Sequence, residues 1–190
     1  MCGFAGFTTN GYTGDRLAVI KAMSDQIIHR GPDQDDYYVD EGIAMGFRRL
    51  SIIDLEGGSQ PILNEDGTKV LTFNGEIYNF RELRKDLIEK GHIFKTSTDS
   101  EVLLHGYEEY GAELLQKLRG MFAFVIWDKT EQKLFGARDI FGIKPFYYYK
   151  NGDQFFFGSE IKSFLSHPCF VKELDEEKIP EYLSYEYIPY

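Results

Sequence analysis

The sequence predicts an α+β fold built as a four-layer αββα sandwich, two mainly antiparallel sheets packed face to face with helices outside. Two observations carry this expectation. Runs such as Met121-Phe122-Ala123-Phe124-Val125-Ile126-Trp127 are apolar at nearly every residue, so both faces of those strands should be buried. An open sheet with one wet face does not fit that pattern. Helical segments are grouped and strands are often consecutive, and helices are the economical cover for the outer face of each sheet. Aromatic residues make up 16% of the chain, which suits a sheet-rich core.

Taken in chain order, Gly3 opens a short apolar run behind Cys2. From Asp15 to Ile28 the residues Leu17, Ile20, Met23 and Ile27 recur at three and four, the spacing of a helix with one buried face. Strands are predicted over Ile43 to Phe47 and Lys69 to Phe73. Leu83, Leu87 and Ile88 mark a helix from Phe80 to Lys90 that ends at Gly91. Thr98 and Glu101 have the spacing of a capping box, so a further helix should start there and continue through Tyr107. A shorter helix holds Leu114, Leu115 and Leu118, and strands follow over Met121 to Trp127, Lys133 to Arg138, Pro145 to Tyr149 and Gln154 to Gly158. Asp66-Gly67 and Asn151-Gly152 are hairpin-type pairs. Beyond Ser163 the pattern changes: Leu174 to Tyr190 is acidic, then tyrosine-rich, and reads as the entry into something longer.

The chain has 190 residues, enough to bury one substantial core, and two-domain readings are disfavoured apart from a fragment at the end. A formal net charge of -10 argues against nucleic acid or an anionic membrane as partner, since either favours a basic face. A small substrate fits better. No apolar stretch approaches the roughly 18 residues of a membrane span, and the N-terminus lacks a signal-like core, so the expected location is the cytoplasm. His92, His105 and His167 stand apart and combine with neither cysteine at zinc-ligand spacing, so no metal is expected. Gly57-Gly58-Ser59 lacks the lysine of a phosphate loop and reads as a turn.

Cys2 is the most informative residue. Removal of the initiator Met1 would leave it first in the chain, joining a thiol to a free α-amine whose reference pKa of about 7.7 to 8.0 suits a base near neutrality. Asn74-Gly75-Glu76 follows a strand, where the Asn74 amide and the Gly75 N–H can stabilise an oxyanion; Asn-Gly is equally a turn signal. Arg48-Arg49 offers a fork for a carboxylate, or a solvated rim charge. Asp99 can meet an ammonium or serve a helix N-terminus, and Glu76 is a further candidate for the ammonium. Asp139 and Lys144 read as an acid-base pair or as parts of a packed loop, and His29 as a structural residue.

The ordered set Met1-Cys2-Gly3-Phe4-Ala5-Gly6, His29-Arg30-Gly31-Pro32-Asp33, Arg49-Leu50-Ser51-Ile52-Ile53-Asp54, Phe73 to Asn79, Thr98-Asp99-Ser100-Glu101 and Arg138 to Gly142 resembles the motifs of class II glutamine amidotransferases. More narrowly it resembles the N-terminal glutaminase domain of glutamine-hydrolysing asparagine synthetases. The resemblance covers residues 1 to about 165, and it implies an N-terminal nucleophile hydrolase fold hydrolysing L-glutamine to glutamate and ammonia through a Cys2 thioester. It also implies roles: Cys2 as nucleophile and base, Asn74 and Gly75 as oxyanion hole, Arg49 on the glutamine carboxylate, Glu76 and Asp99 on its ammonium, and Leu50, Ser51, Ile52 and Ile53 lining the pocket. Residues 166–190 would lead into a C-terminal synthetase domain, the partner that uses ATP and magnesium; this domain itself needs no cofactor. One position departs from the family, Asp36 standing where a glycine is usual. The alternatives are another class II amidotransferase, such as the glutaminase half of an aminosugar synthase, or a catalytically silent binding fold. The ammonia acceptor and the oligomeric state, a homodimer among the options, are not set by the residues.

Overall fold

The computed structural model describes residues 1–50 and 59–188. Among these residues nine strands form two wholly antiparallel sheets. The first runs in the order β2 (Gln34–Val39), β3 (Ile43–Arg49), β1 (Gly3–Thr8), β9 (Gln154–Gly158) and β8 (Tyr147–Asn151). The second is β4 (Ile62–Leu63), β5 (Lys69–Ile77), β6 (Gly120–Asp128) and β7 (Lys133–Arg138). Helix α1 (Arg16–Asp25) covers the first sheet, with a 3-10 segment at Ile161–Ser166; α2 (Phe80–Glu89), α3 (Ser100–Tyr110) and α4 (Leu114–Lys117) cover the second. Helix α5 (Ile179–Tyr185) follows in the tail and has no buried residue.

The period of two along each strand sorts the side chains into three cores. On β6, Phe122, Phe124 and Ile126 face the helices, while Ala123, Val125 and Trp127 face the other sheet. On β1, Phe4 lies between the sheets and Ala5 and Phe7 meet α1. The αββα layering expected from the sequence is therefore present, with all four layers carrying buried apolar residues. Among the described residues no helix is long and apolar enough to cross a membrane.

Several elements differ from the sequence expectation for identifiable reasons. The strand from Lys69 continues to Ile77, because Asn74, Gly75 and Glu76 pair with Ala123, Phe122 and Met121 of β6. Asn74-Gly75 is thus strand, not turn. Thr98 is no N-cap: α3 begins at Ser100, and the Glu101 carboxylate instead accepts the Lys95 and Thr96 N–H groups at 2.9 and 2.7 Å. Asp36 lies inside β2 opposite Phe47, an extended position open to any side chain, and Ser59 donates to its carboxylate at 3.1 Å. Strand β2 and helix α5 were not anticipated, the one being polar and half-exposed and the other short with no buried residue. Both cysteines are free thiols, and Cys169 packs beside the α1 core.

Candidate active site

Strand alternation brings the chemistry-bearing residues together. Cys2 shares the inward face of β1 with Phe4; Arg49 shares that of β3 with Met45 and Phe47; Asn74 shares that of β5 with Val70. All three reach the same end of the gap between the sheets. There they line a cleft of roughly 430 Å³ together with Leu50, Gln60, Phe73, Gly75, Glu76, Phe80, Asp99, Met121 and Lys144. Of the sequence candidates, Cys2, Arg49, Leu50, Asn74, Gly75, Glu76 and Asp99 converge here. Ser51, Ile52 and Ile53 lie outside the described residues.

The thiol is held by main chain. The Leu50 N–H points at Cys2 Sγ at 3.4 Å, and the Sγ lies 3.7 Å from the Leu50 carbonyl oxygen. Arg30 Nε donates to the Cys2 carbonyl at 3.0 Å, and the Arg30 guanidinium is in turn fixed by Glu160 at 3.0 Å, with His29 on the same carboxylate at 2.8 Å. His29 therefore serves structure, as its loop position suggested.

Asn74 is 3% exposed, and its Nδ2 has no hydrogen-bond partner among the described residues. A buried amide donor left unpaired costs roughly 1 to 3 kcal/mol, and such a group in a cleft is a donor waiting for an acceptor. It is set by Gln60, whose side-chain amide brackets Phe73: Nε2 donates to the Phe73 carbonyl at 3.1 Å and Oε1 accepts the Phe73 N–H at 2.6 Å. At Gly75 a Cβ would collide with the Met121 carbonyl and the Phe122 main chain, so only glycine lets β5 approach β6 there.

The arginine pair splits between two environments. Arg48 points away from the cleft, ion-paired to Asp25 and, at 3.5 Å, to Asp35, with Nε on the Ser24 carbonyl at 3.3 Å. Arg49 points into it, 8% exposed, with one nitrogen 3.2 Å from Gln34 Oε1. Opposite, Asp99 Oδ2 accepts the Ile77 N–H at 2.8 Å and joins the start of α3 to the end of β5. Burial pushes the Asp99 carboxyl above the usual carboxylate range, and the nearby Glu76 charge pushes the same way against opposing main-chain N–H groups. One wall is thus cationic and the other carries two carboxylates.

Asp139 and Lys144 are not an acid-base pair. The Asp139 carboxylate accepts the N–H groups of Phe122, Ile143 and Lys144 at 3.2, 2.9 and 3.0 Å. Burial opposes its ionisation, but these donors outweigh it and hold the group below the usual range. Lys144 Nζ instead enters the cleft and reaches Met1 Sδ at 3.4 Å. Lys144 and Gln60 were missed as cleft residues because nothing in their sequence spacing marks a loop lysine or a loop glutamine as facing a site.

A two-sheet sandwich with a Cys2 thiol at the mouth of the inter-sheet gap is the architecture of an N-terminal-nucleophile amidotransferase. The solved structure of glutamine phosphoribosylpyrophosphate amidotransferase from B. subtilis shares this fold, with a TM-score of 0.68 at 22% identity over 87% of this chain and 43% of that one. The chain belongs to the glutamine amidotransferase domain family, whose model matches residues 1–190. It is an enzyme domain. Asparagine synthetase [glutamine-hydrolyzing] 1 of Bacillus subtilis (strain 168) is 50% identical over 192 residues, spanning 100% of this chain and 30% of that protein. A probable asparagine synthetase [glutamine-hydrolyzing] of Dictyostelium discoideum is 43% identical over 152 residues, 78% of this chain and 27% of the other. The chain therefore spans under a third of the length of these curated relatives.

Proposed function

We propose that this chain is the glutaminase unit of a glutamine-hydrolysing asparagine synthetase, cleaving L-glutamine to glutamate and ammonia at Cys2. The observation that carries the reading is the unpaired, buried Asn74 amide facing the same cleft as the Cys2 thiol. Met1 is 57% exposed, which leaves the Met1–Cys2 peptide bond open to the hydrolysis that frees the α-amine. The amine then takes the thiol proton, and the thiolate attacks the side-chain amide carbon of glutamine. The resulting oxyanion is held by Asn74 Nδ2 and the Gly75 N–H, donors worth roughly 3 to 4 kcal/mol each in comparable sites. As the C–N bond breaks, the ammonium gives its proton to the leaving nitrogen, and ammonia departs. Water, deprotonated by the same amine, hydrolyses the thioester and restores the thiol.

Charge supports the substrate orientation. Arg49 suits the α-carboxylate, and Asp99 with Glu76 suits the α-ammonium, because a cation between two mutually repelling carboxylates stabilises both ionised. In this reading residues 1–165 form the glutaminase domain and 166–190 lead to the synthetase part, where ATP and magnesium act, in a cytoplasmic enzyme. The test is glutamate release from L-glutamine by the purified chain beside Cys2→Ala, with Met1 removal followed by intact mass. Turnover by the processed chain, abolished in Cys2→Ala, is the expected outcome; near-parental activity in the variant would overturn the mechanism.

A further inference from the structure

Away from the cleft, three segments of the second sheet's helical layer bring imidazoles and carboxylates together. The sequence reading kept His92 and His105 apart, yet the fold sets their rings 5.2 Å apart, between the α2–α3 connection and α3. Ligand-type atoms of Glu65, His92 and His105 all lie within 4.8 Å of one another. Glu108 adjoins the two imidazoles. Its Oε2 is 3.0 Å from His105 Nδ1 and 3.8 Å from His92 Nδ1, and Glu65 Oε2 is 3.6 Å from His105 Nδ1.

We propose that Glu65, His92, His105 and Glu108 form a structural zinc site. Zinc binds imidazole nitrogen and carboxylate oxygen at about 2.0–2.2 Å in a tetrahedron, which sets ligand atoms roughly 3.3 to 3.6 Å apart. The separations of 3.0, 3.6 and 3.8 Å bracket that edge. The other separations among Glu65, His92 and His105 lie within 4.8 Å, so side-chain rotation must draw the ligands together around the ion.

Three of the four residues have outer contacts of the kind a metal site needs, whereas His105 Nε2 is buried with no partner among the described residues. In a zinc site, the ligands' other atoms are held by neighbours that fix their orientation. His92 turns its second nitrogen, Nε2, to Glu109 Oε2 at 3.4 Å, while Lys90 at 3.1 Å offsets the Glu109 charge. Glu108 has its second oxygen, Oε1, on Asn64 Nδ2 at 2.6 Å, leaving Oε2 toward the imidazoles. Glu65 has Oε1 on the Ile93 N–H at 3.3 Å, again leaving Oε2. The His105 ring is buried and packed edge-on against Phe94 at 4.6 Å. Two carboxylates and two neutral imidazoles give a site that balances the dication, closed by four protein ligands as structural sites are. It would tie the β4–β5 turn to the α2–α3 connection and to α3.

The test uses the chain with Cys2→Ser and Cys169→Ser, so that no thiol competes, and adds zinc or cobalt. Zinc should raise the melting temperature, and one equivalent of cobalt should give the visible absorption of a tetrahedral site. His92→Ala should weaken zinc affinity by roughly a hundredfold or more and abolish the cobalt bands. Glu65→Gln, at an exposed turn, should weaken it less while leaving the metal-free melting temperature unchanged. No zinc-dependent shift in the parent, or an identical shift and spectrum in both variants, would overturn the site and leave only a histidine–glutamate hydrogen-bond network.

Discussion

Asp99 sits where stability and binding pull in opposite directions. Burial and Glu76 hold its carboxyl above the usual range, so ionising it costs the folded state. A group raised in this way contributes stability that is fully present below its unfolded pKa and lost as pH rises through the folded value. Asp99→Asn should therefore be more stable than the parent at neutral pH and lose that advantage below about pH 4, the unfolded range of an aspartate. The same change should raise the KM for glutamine by roughly 10- to 100-fold, the worth of a charged hydrogen bond. Denaturation at the two pH values together with steady-state kinetics checks both halves. At this scale the sequence was most legible. Cys2, Arg49, Asn74 and Asp99 carry chemistry by residue type, and strand periodicity alone sends the first three to one face. Gln60 and Lys144 were illegible, because loop residues have no period that says where they point.

Among the elements, several strands were readable, some from continuous apolar runs and some from composition. β6 falls within a residue of its expected bounds because burial on both faces leaves an unbroken run, and β7 and β9 fall on theirs although β7 is half-exposed. β5 outran its expectation since pairing with β6 overrides the turn chemistry of Asn-Gly. The capping-box spacing at Thr98 failed because Glu101 binds two N–H groups of the preceding loop more effectively than it could cap its own helix. The β2–β3 hairpin depends on one carboxylate that no pattern announced. Asp40 accepts the Gly42 and Ile43 N–H groups at 2.7 and 2.9 Å, the Tyr38 hydroxyl at 2.8 Å and, from the other sheet, Trp127 Nε1 at 2.9 Å. Asp40→Ala strands four donors at once and should lower the unfolding free energy by about 2 to 4 kcal/mol. Urea unfolding read from the emission of Trp127, the sole tryptophan, measures it directly.

Across the whole molecule, the C-terminal portion closes the first sheet's helical layer through His167. The ring is 3% exposed and packs against Phe7, Tyr12 and Phe156 at centroid distances of 4.4, 5.0 and 4.6 Å. Burial lowers its pKa from 6.5 to about 4. The unfolded chain thus binds this proton more readily, so the contribution is complete above the unfolded pKa and lost as pH falls through the folded one. Stability should decline by up to roughly 3 kcal/mol between about pH 6.5 and pH 4 on this account. His167→Phe should flatten that part of the pH–stability curve, and an unchanged slope would remove His167 as its source. The two arginines of β3 carry a consequence for how this protein tolerates change in length. Arg48 belongs to the helix layer and Arg49 to the cleft only because they are adjacent on a pleated strand. Inserting one residue ahead of them would bring Arg48 to the cleft and leave Phe47 in its place beside α1, and deleting one would bring Arg49 beside α1 and leave Leu50 at the cleft, so either change costs one site its arginine and this strand admits substitutions but no change in residue count.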